Sequence, residues 1–156
     1  MATISKQPVE IARVLSGGPP ALLSFGEASG QTFKRGEFVY LVNGLVTIYA
    51  ANGTQILGIA MENAAGVAGT PHPIALASDT NIFVANVNAG VTALAQIGLS
   101  YALVTASAMW HVDTTSWGTN ARVLVVGLDS RDTVGDTTGR VHFIVLNKYR
   151  QLDTTS

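Results

Sequence analysis

Two things are scarce in this sequence: cysteine and charged residues. None of the 156 residues is cysteine, which excludes disulfides and thiolate-bound zinc. Asp, Glu, Lys and Arg make up 12% of the chain, about half of the roughly 25% typical of globular domains. The formal net charge is -1, without the basic excess that nucleic-acid binding or electrostatic membrane docking requires. We therefore expect no nucleic-acid partner and no membrane partner.

Long apolar runs are also missing. No stretch approaches the ~20 apolar residues that span a bilayer. The first residues, MATISKQPVEIARVL, lack the basic start and apolar segment of a signal peptide. We expect the chain to be made in the cytoplasm and not exported by the general secretory route.

The low charge has a direct consequence for the surface. A domain of this size ordinarily needs more charge to stay soluble on its own, so the simplest reading is that other protein covers much of its surface. A homo-oligomer or docking onto a larger assembly would provide that cover. The alternative is an extracellular β-domain coated with Thr, Ser and Asn.

Turn signals dominate what is present. Asn43-Gly44 and Asn52-Gly53 are each flanked by β-branched, apolar runs, and Asn-Gly is the strongest short-range signal for a two-residue hairpin. They predict three consecutive antiparallel strands, a meander, between residues 38 and 60.

The same pattern continues to the end of the chain. Short strand signals separated by turns predict an all-β fold, a small antiparallel β-barrel or sandwich. One short helix is predicted over residues 91–97, with Thr92 as N-cap and Gly98 as the stop. The Pro71-His72-Pro73 sequence is predicted to exclude a central strand at that place.

The beginning of the chain differs from the rest. Apolar residues alternate loosely with polar ones at Ile4, Val9, Ile11 and Val14, and the cluster SGGPP at residues 16–20 interrupts regular structure. We predict an extended N-terminal arm with a Gly/Pro hinge over residues 1–24, followed by a single β-barrel-like domain over 25–156. The arm is either an edge strand of its own domain or a strand that reaches out to a neighbour's sheet.

Candidate reactive groups are sparse. Asp129, Asp132 and Asp136 crowd one turn; oxygen ligands suit Ca²⁺, but Arg131 and Arg140 stand close enough to neutralise them, and Asp is a favoured turn residue in its own right. The histidines lack metal-ligand spacing, and no nucleophile motif accompanies them. We predict no catalytic, metal or cofactor site, and a protein that is not an enzyme.

Two tryptophans bracket a polar loop. Trp110 and Trp117 can anchor a protein interface, where Trp is enriched, or plug the end of a barrel, or stack on a sugar. An interface or a plug is favoured because no further aromatic residues join the pair.

Several segments together resemble a known family. They are residues 30–40 (GQTFKRGEFVY), Asn43-Gly44, residues 56–60 (ILGIA), and the later stretch 125–128 with Asp132, Gly135-Asp136, 139–141 and Phe143. This combination, which spans most of residues 25–146, resembles the capsid decoration proteins of tailed bacteriophages, also called cement or head-stabilisation proteins.

The resemblance implies a small β-barrel that binds the outside of the expanded capsid, often as a trimer, and braces neighbouring subunits of the major capsid protein. Residues 2–15 would serve as the arm that contacts the shell. The resulting expectation is a virion structural protein on the capsid outer surface, with the major capsid protein as partner and a homo-oligomer, a trimer favoured, as its form. The alternatives are another virion component (a head fibre base, tail or adaptor protein) and a carbohydrate- or small-molecule-binding β-barrel.

Overall fold

A computed structural model describes residues 1–152 and places eleven strands in two antiparallel sheets within that range. The strands are β1 (Glu10–Val14), β2 (Leu22–Gly26), β3 (Phe38–Val42), β4 (Leu45–Ile48), β5 (Gly58–Ala60), β6 (Pro71–Leu76), β7 (Asn81–Asn86), β8 (Ser100–Ala106), β9 (Met109–Asp113), β10 (Val123–Leu128) and β11 (Arg140–Val145). Short 3₁₀ turns occupy Leu94–Gln96, Gly118–Asn120 and Asn147–Tyr149. The all-β prediction is confirmed.

Each sheet curls without closing into a barrel. The larger sheet has the order β1-β7-β11-β10-β8-β9, and the smaller has the order β2-β6-β5-β3-β4. A single bridge between Val87 and Val112 brings β9 back towards the end of β7, and a bridge between Glu27 and Val46 does the same for β4 and β2. Isolated bridges of this kind leave the edges close together without a continuous ladder.

The main core lies between the two sheets and is rich in aromatic rings. Phe38 of the smaller sheet makes an edge-on contact with Trp110 of the larger, with ring centroids 5.5 Å apart. Phe83 and Phe143 stack beside them at 5.9 Å, and all four side chains are fully buried. Such aromatic contacts add about 1 kcal/mol each to the free energy of burial, so this centre fixes the two sheets against each other.

A second, smaller core covers the opposite face of the smaller sheet. Its buried members include Phe33, Val39, Leu57 and Ile74. Residues 61–70 lie over it, held in part by the Ala64 N–H, which donates to the Phe33 carbonyl at 2.8 Å. The middle of the smaller sheet, around β5, is therefore buried on both faces.

The first Asn-Gly turn forms as predicted. Asn43 and Gly44 have φ of 50° and 80°, the left-handed conformation that a type I′ turn requires at both central residues. Val42 then pairs with Leu45, and β3 and β4 form a hairpin.

The predicted meander is wrong at its third strand. Asn52 is left-handed, with φ of 63°, but β5 pairs with the far side of β3, not with β4. The guanidinium of Arg122 donates to the carbonyls of Asn52 and Gly53, each at 2.8 Å. Gly53 does not take the positive φ that a type I′ turn requires at its second central residue, so this turn does not fold β5 back against β4.

Two further local predictions are also wrong. The Pro71-His72-Pro73 sequence lies in β6, which stands between β2 and β5. The prolines are tolerated because β5 ends at Ala60, opposite Ile74, and the proline half of β6 pairs with β2 alone.

The predicted helix over 91–97 is reduced to the 3₁₀ turn Leu94–Gln96, and its N-cap is Ala93 instead of Thr92. Thr92 is buried, and its hydroxyl accepts a hydrogen bond from the Gly135 N–H at 3.3 Å. Gly98 ends the turn with φ of 87°, a conformation suited to glycine.

Candidate functional site

The predicted arm is built into the molecule's own larger sheet. β1 pairs with β7 in antiparallel register, with Ile11 opposite Phe83. Val9 is 2% exposed and belongs to the main core, while Ile4, Ile11 and Val14 are partly buried. The apolar side chains predicted to bind a shell therefore contact this chain's own body.

An asparagine at the end of β7 fastens this N-terminal segment. The Asn86 side chain accepts a hydrogen bond from the Gln7 N–H at 2.9 Å and donates to the carbonyls of Ser5 at 3.2 Å and Thr138 at 2.7 Å. The total accessible surface is 7366 Å², close to the ~7,500 Å² expected of a compact monomer of this mass. A protruding arm would raise that value, so the edge-strand alternative describes the isolated chain.

The outer edge of β1 is the part of this segment that faces away from the sheet, because β1 is the terminal strand. A register shift interrupts its pairing with β7 between Ile11 and Arg13. Bulges and charged side chains on edge strands discourage uncontrolled pairing with other chains. A partner strand would therefore have to match the irregular backbone and the charged side chains of β1 in order to pair with its outer edge.

The two tryptophans occupy opposite environments. Trp110 is 0% exposed, and its ring lies 5.4 Å from that of Tyr49 in the main core. Its assignment as an interface residue is wrong, because residues 110 and 112 of β9 both point inward. Trp117 is 66% exposed and lines a groove with Leu99, Ser100, Tyr101, Thr114 and Gly118.

Trp117 belongs to a larger exposed apolar surface. We call it the 91–134 face and define it by six exposed side chains: Val91, Leu94, Ile97, Leu99, Trp117 and Val134. Leu94, Ile97 and Val134 line one groove together with Asp129, Asp132 and Arg140, and Leu99 lines a second groove with Trp117. Groups of exposed apolar side chains often mark interaction sites.

Five of the six side chains of this face lie in two loops, residues 91–99 and 114–121, that carry no charge. No Asp, Glu, Lys or Arg occurs between Asp79 and Asp113, and none between Asp113 and Arg122. These charge-free stretches are the signal in the sequence that could have indicated the face, because they account for much of the chain's shortage of charged residues. A partner that covers the face meets no charge from these loops.

The charged groups next to the face are paired with each other. Asp129 accepts hydrogen bonds from Arg131 Nε at 2.8 Å and from His142 Nε2 at 3.1 Å. Asp132 accepts one from Arg140 Nε at 2.9 Å. The hydrogen bond from Arg131 is the main cause that holds the pKa of Asp129 well below its usual range.

The aspartate turn therefore uses its carboxylates for internal contacts. Asp136, the third member, accepts hydrogen bonds from the Ala2 N–H at 3.0 Å and the Thr133 N–H at 2.9 Å. Within residues 1–152 no group of three or more His, Asp or Glu side chains converges as metal ligands would. The arrangement agrees with the predicted turn chemistry.

A buried contact between the Glu27 carboxylate and the His72 imidazole was not predicted. Both side chains are nearly inaccessible, and the Glu27 carboxylate contacts His72 Nε2 and accepts the Ala65 N–H at 2.8 Å. Glu62 lies 3.6 Å from the other ring nitrogen. Burial acts to raise the pKa of Glu27, but the hydrogen bonds from Ala65 and His72 hold it below its usual value. The pair fastens residues 61–70 over the second core.

No protein-family model matches the chain, and no curated protein matches it. Among the helical segments of residues 1–152, none is long or apolar enough to cross a membrane.

The described residues thus offer contact surfaces as their main functional feature. The 91–134 face can exclude water against another apolar surface, and the outer edge of β1 can donate and accept backbone hydrogen bonds. The Asp, Glu and His side chains described above form hydrogen bonds or close contacts with other residues of the same chain.

Proposed function

We propose that this protein is a virion structural protein that binds the outer surface of a tailed-phage capsid and stabilises it by bridging subunits of the major capsid protein. It is made in the host cytoplasm and acts on the virion as a homo-oligomer, with a trimer favoured. The resemblance of residues 30–60 and 125–143 to decoration proteins supports this proposal, and so does the all-β fold.

The observation that carries the proposal is the set of exposed apolar side chains of the 91–134 face. Apolar side chains such as Leu94, 67% exposed, and Trp117, 66% exposed, weaken the solubility of a protein that works alone. Such side chains are typical of a protein whose surface contacts another protein. Trp is also the residue type most enriched among those that dominate binding energy at interfaces.

The N-terminal segment supplies a second contact in this proposal. Because Val9 is part of the core and Asn86 fastens residues 5–7, the segment binds the shell from its docked position. The outer edge of β1 pairs with an extended segment of the major capsid protein, which adds backbone hydrogen bonds at each site. Many weak contacts of this kind sum through avidity across the shell.

Shell binding tests the proposal directly. Purified chain is mixed with expanded, DNA-free shells of the virus that encodes it, and the shells are pelleted and then heated. We expect the chain to pellet with the shells at saturating stoichiometry and to raise the temperature at which they break. A chain that stays in the supernatant and leaves the breaking temperature unchanged contradicts the proposal.

The contribution of β1 is tested without removing it, because deletion of residues 2–15 would also remove Val9 from the core. A double charge reversal on its exposed side chains, Glu10→Lys with Arg13→Glu, preserves net charge and buries nothing new. We expect weaker shell binding with an unchanged melting temperature. The matched control is Asp79→Lys with Lys34→Glu, both at exposed positions outside β1, which should bind shells as the parent does.

One observation keeps a carbohydrate-binding function as the second candidate. Trp117 stands over a groove that also presents the hydroxyl-bearing residues Ser100 and Thr114, a combination able to stack on and hydrogen-bond a sugar. Trp110 cannot contribute to sugar binding because it is buried. A glycan array, followed by titration of Trp117 fluorescence with any sugar retained, separates the two functions.

A further inference from the structure

We propose that His72 and Glu62 together bind a divalent transition-metal ion of the Zn²⁺ type. His72 lies in β6, and Glu62 lies in the segment of residues 61–70 that covers the second core. An ion held by both side chains would join this segment to the smaller sheet. The site is separate from the 91–134 face and from the outer edge of β1, so it does not rest on the proposed function.

One nitrogen of the His72 ring is already engaged within the chain. The Glu27 carboxylate contacts Nε2, and the pKa of Glu27 lies below its usual value, so the ionised carboxylate accepts a hydrogen bond from Nε2–H. The ring of Phe33 packs edge-on against the imidazole, with centroids 5.4 Å apart. In the neutral ring the proton is then on Nε2 and the lone pair is on Nδ1. A carboxylate on the far nitrogen is the usual support of a metal-binding histidine.

The Nδ1 atom of His72 is the unusual feature of this cluster. The His72 side chain is 4% exposed, and no group within residues 1–152 forms a hydrogen bond with Nδ1. A buried polar atom without a partner is costly to the folded state. A ligand that uses the Nδ1 lone pair would therefore stabilise the protein as it binds.

The distance from His72 Nδ1 to Glu62 Oε2, 3.6 Å, distinguishes the possible ways of joining the two atoms. A direct N–H···O hydrogen bond spans roughly 2.7–3.2 Å. A water that bridged the atoms through two hydrogen bonds of ~2.8 Å at a tetrahedral angle would hold them about 4.5 Å apart. Two zinc bonds of ~2.1 Å at the same angle hold their ligand atoms about 3.4 Å apart. The observed separation is closest to that of two ligands on one metal ion.

The types of ligand atom select the metal. Imidazole nitrogen suits zinc and its neighbours in the first transition series, whereas Mg²⁺ and Ca²⁺ take oxygen ligands. Within residues 1–152 no group of three His, Asp or Glu side chains could hold a metal ion, so the protein supplies two ligands. Because the Glu62 side chain is 60% exposed, the ion can enter from solvent and water can fill its other positions.

Calorimetric titration of the full chain with Zn²⁺ and, separately, with Mg²⁺ tests the proposal. We expect the parent to bind Zn²⁺ and to show no measurable affinity for Mg²⁺. Glu62→Gln removes the carboxylate at an exposed position and should weaken Zn²⁺ binding by at least ~10-fold. The matched control is Glu10→Gln, at an exposed glutamate of β1, which should bind Zn²⁺ as the parent does.

Nitrogen-15 NMR of the histidine rings identifies the ligand atom. We expect Zn²⁺ to shift the His72 Nδ1 resonance and to leave the proton on Nε2, with the rings of His111 and His142 unchanged. The proposal is overturned if the parent binds no Zn²⁺ at millimolar concentrations or binds Mg²⁺ as tightly, or if another histidine gives the shift. It is also overturned if Glu62→Gln and the control bind Zn²⁺ equally well. None of these measurements involves shells, so either result leaves the proposed function unaffected.

Discussion

Breaking the buried pair between Glu27 and His72 should destabilise the protein more than any comparable change on the surface. His72→Leu leaves the Glu27 carboxylate, 0% exposed, without its hydrogen-bonding neighbour. Loss of one partner from a buried hydrogen bond costs about 1–3 kcal/mol, and more when the remaining group is charged. Although Ala65 still donates its N–H at 2.8 Å, the remaining group is a carboxylate, so we expect a loss of about 3 kcal/mol.

The expected loss is large against the whole stability of a domain, which is about 5–15 kcal/mol. For a chain of this length it corresponds to a drop of roughly 10 °C in melting temperature. Urea unfolding followed by circular dichroism measures the free energy, and the matched control is His142→Leu. His142 also contacts a carboxylate, that of Asp129, but Arg131 remains to pair with it, so we expect a loss under about 1 kcal/mol.

The double variant Glu27→Leu with His72→Leu sharpens the test. The surrounding side chains of the second core, including Phe33 and Ile74, are apolar, so removing both polar groups together avoids the isolated carboxylate. We expect the double variant to be more stable than His72→Leu alone. The reasoning is refuted if His72→Leu costs under about 1 kcal/mol, or if the costs of the two single changes add.

The pH dependence of the pair has a defined sign. In the parent chain the pKa of Glu27 lies below its usual value of 4.5, so its contribution to stability is present above that pH and is lost as the pH falls below it. In His72→Leu the buried carboxylate loses that support, which raises its pKa. The variant should therefore gain stability relative to the parent as the pH is lowered towards 5.

Three further predictions follow from buried or exposed side chains. Asn86→Ala should cost about 3 kcal/mol, because it removes three hydrogen bonds of about 1 kcal/mol each, and should speed tryptic cleavage at Lys6, which gel electrophoresis would show. Burial, with a smaller effect from Lys6, lowers the pKa of His111 from 6.5 to about 4, so unfolding free energy should fall as the pH drops from 6.5 towards 4, and His111→Gln should flatten that slope. Acrylamide should quench the fluorescence of Trp117 strongly and of Trp110 weakly, so that Trp117→Phe removes the accessible component; equal quenching of both would contradict their placement.

Local signals in the sequence predicted the elements of the fold well. Asn43-Gly44 fixed one hairpin because a type I′ turn depends only on its two central residues. The strand over residues 81–86 and the apolar strands near the end of the chain also follow from patterns a few residues long. Such signals give the positions of strands but not their neighbours, so β5 was assigned to the wrong side.

Contacts between distant residues could not be predicted in the same way. Glu27 and His72 are 45 residues apart, and each looks like an ordinary loop residue in its own surroundings. Arg122 holds a loop that is 69 residues away. The two tryptophans flank the same loop but have different surroundings. Trp110 lies on the side of β9 that faces the core. Trp117 lies in a charge-free stretch, and this stretch is the local signal for an exposed apolar surface.

The most direct test of the account is electron cryomicroscopy of expanded shells incubated with this chain. We predict added density on the outer surface at regular positions, spanning more than one subunit of the major capsid protein. We also predict that the 91–134 face is buried against other protein. Shells that remain bare at saturating concentrations of folded protein would contradict it.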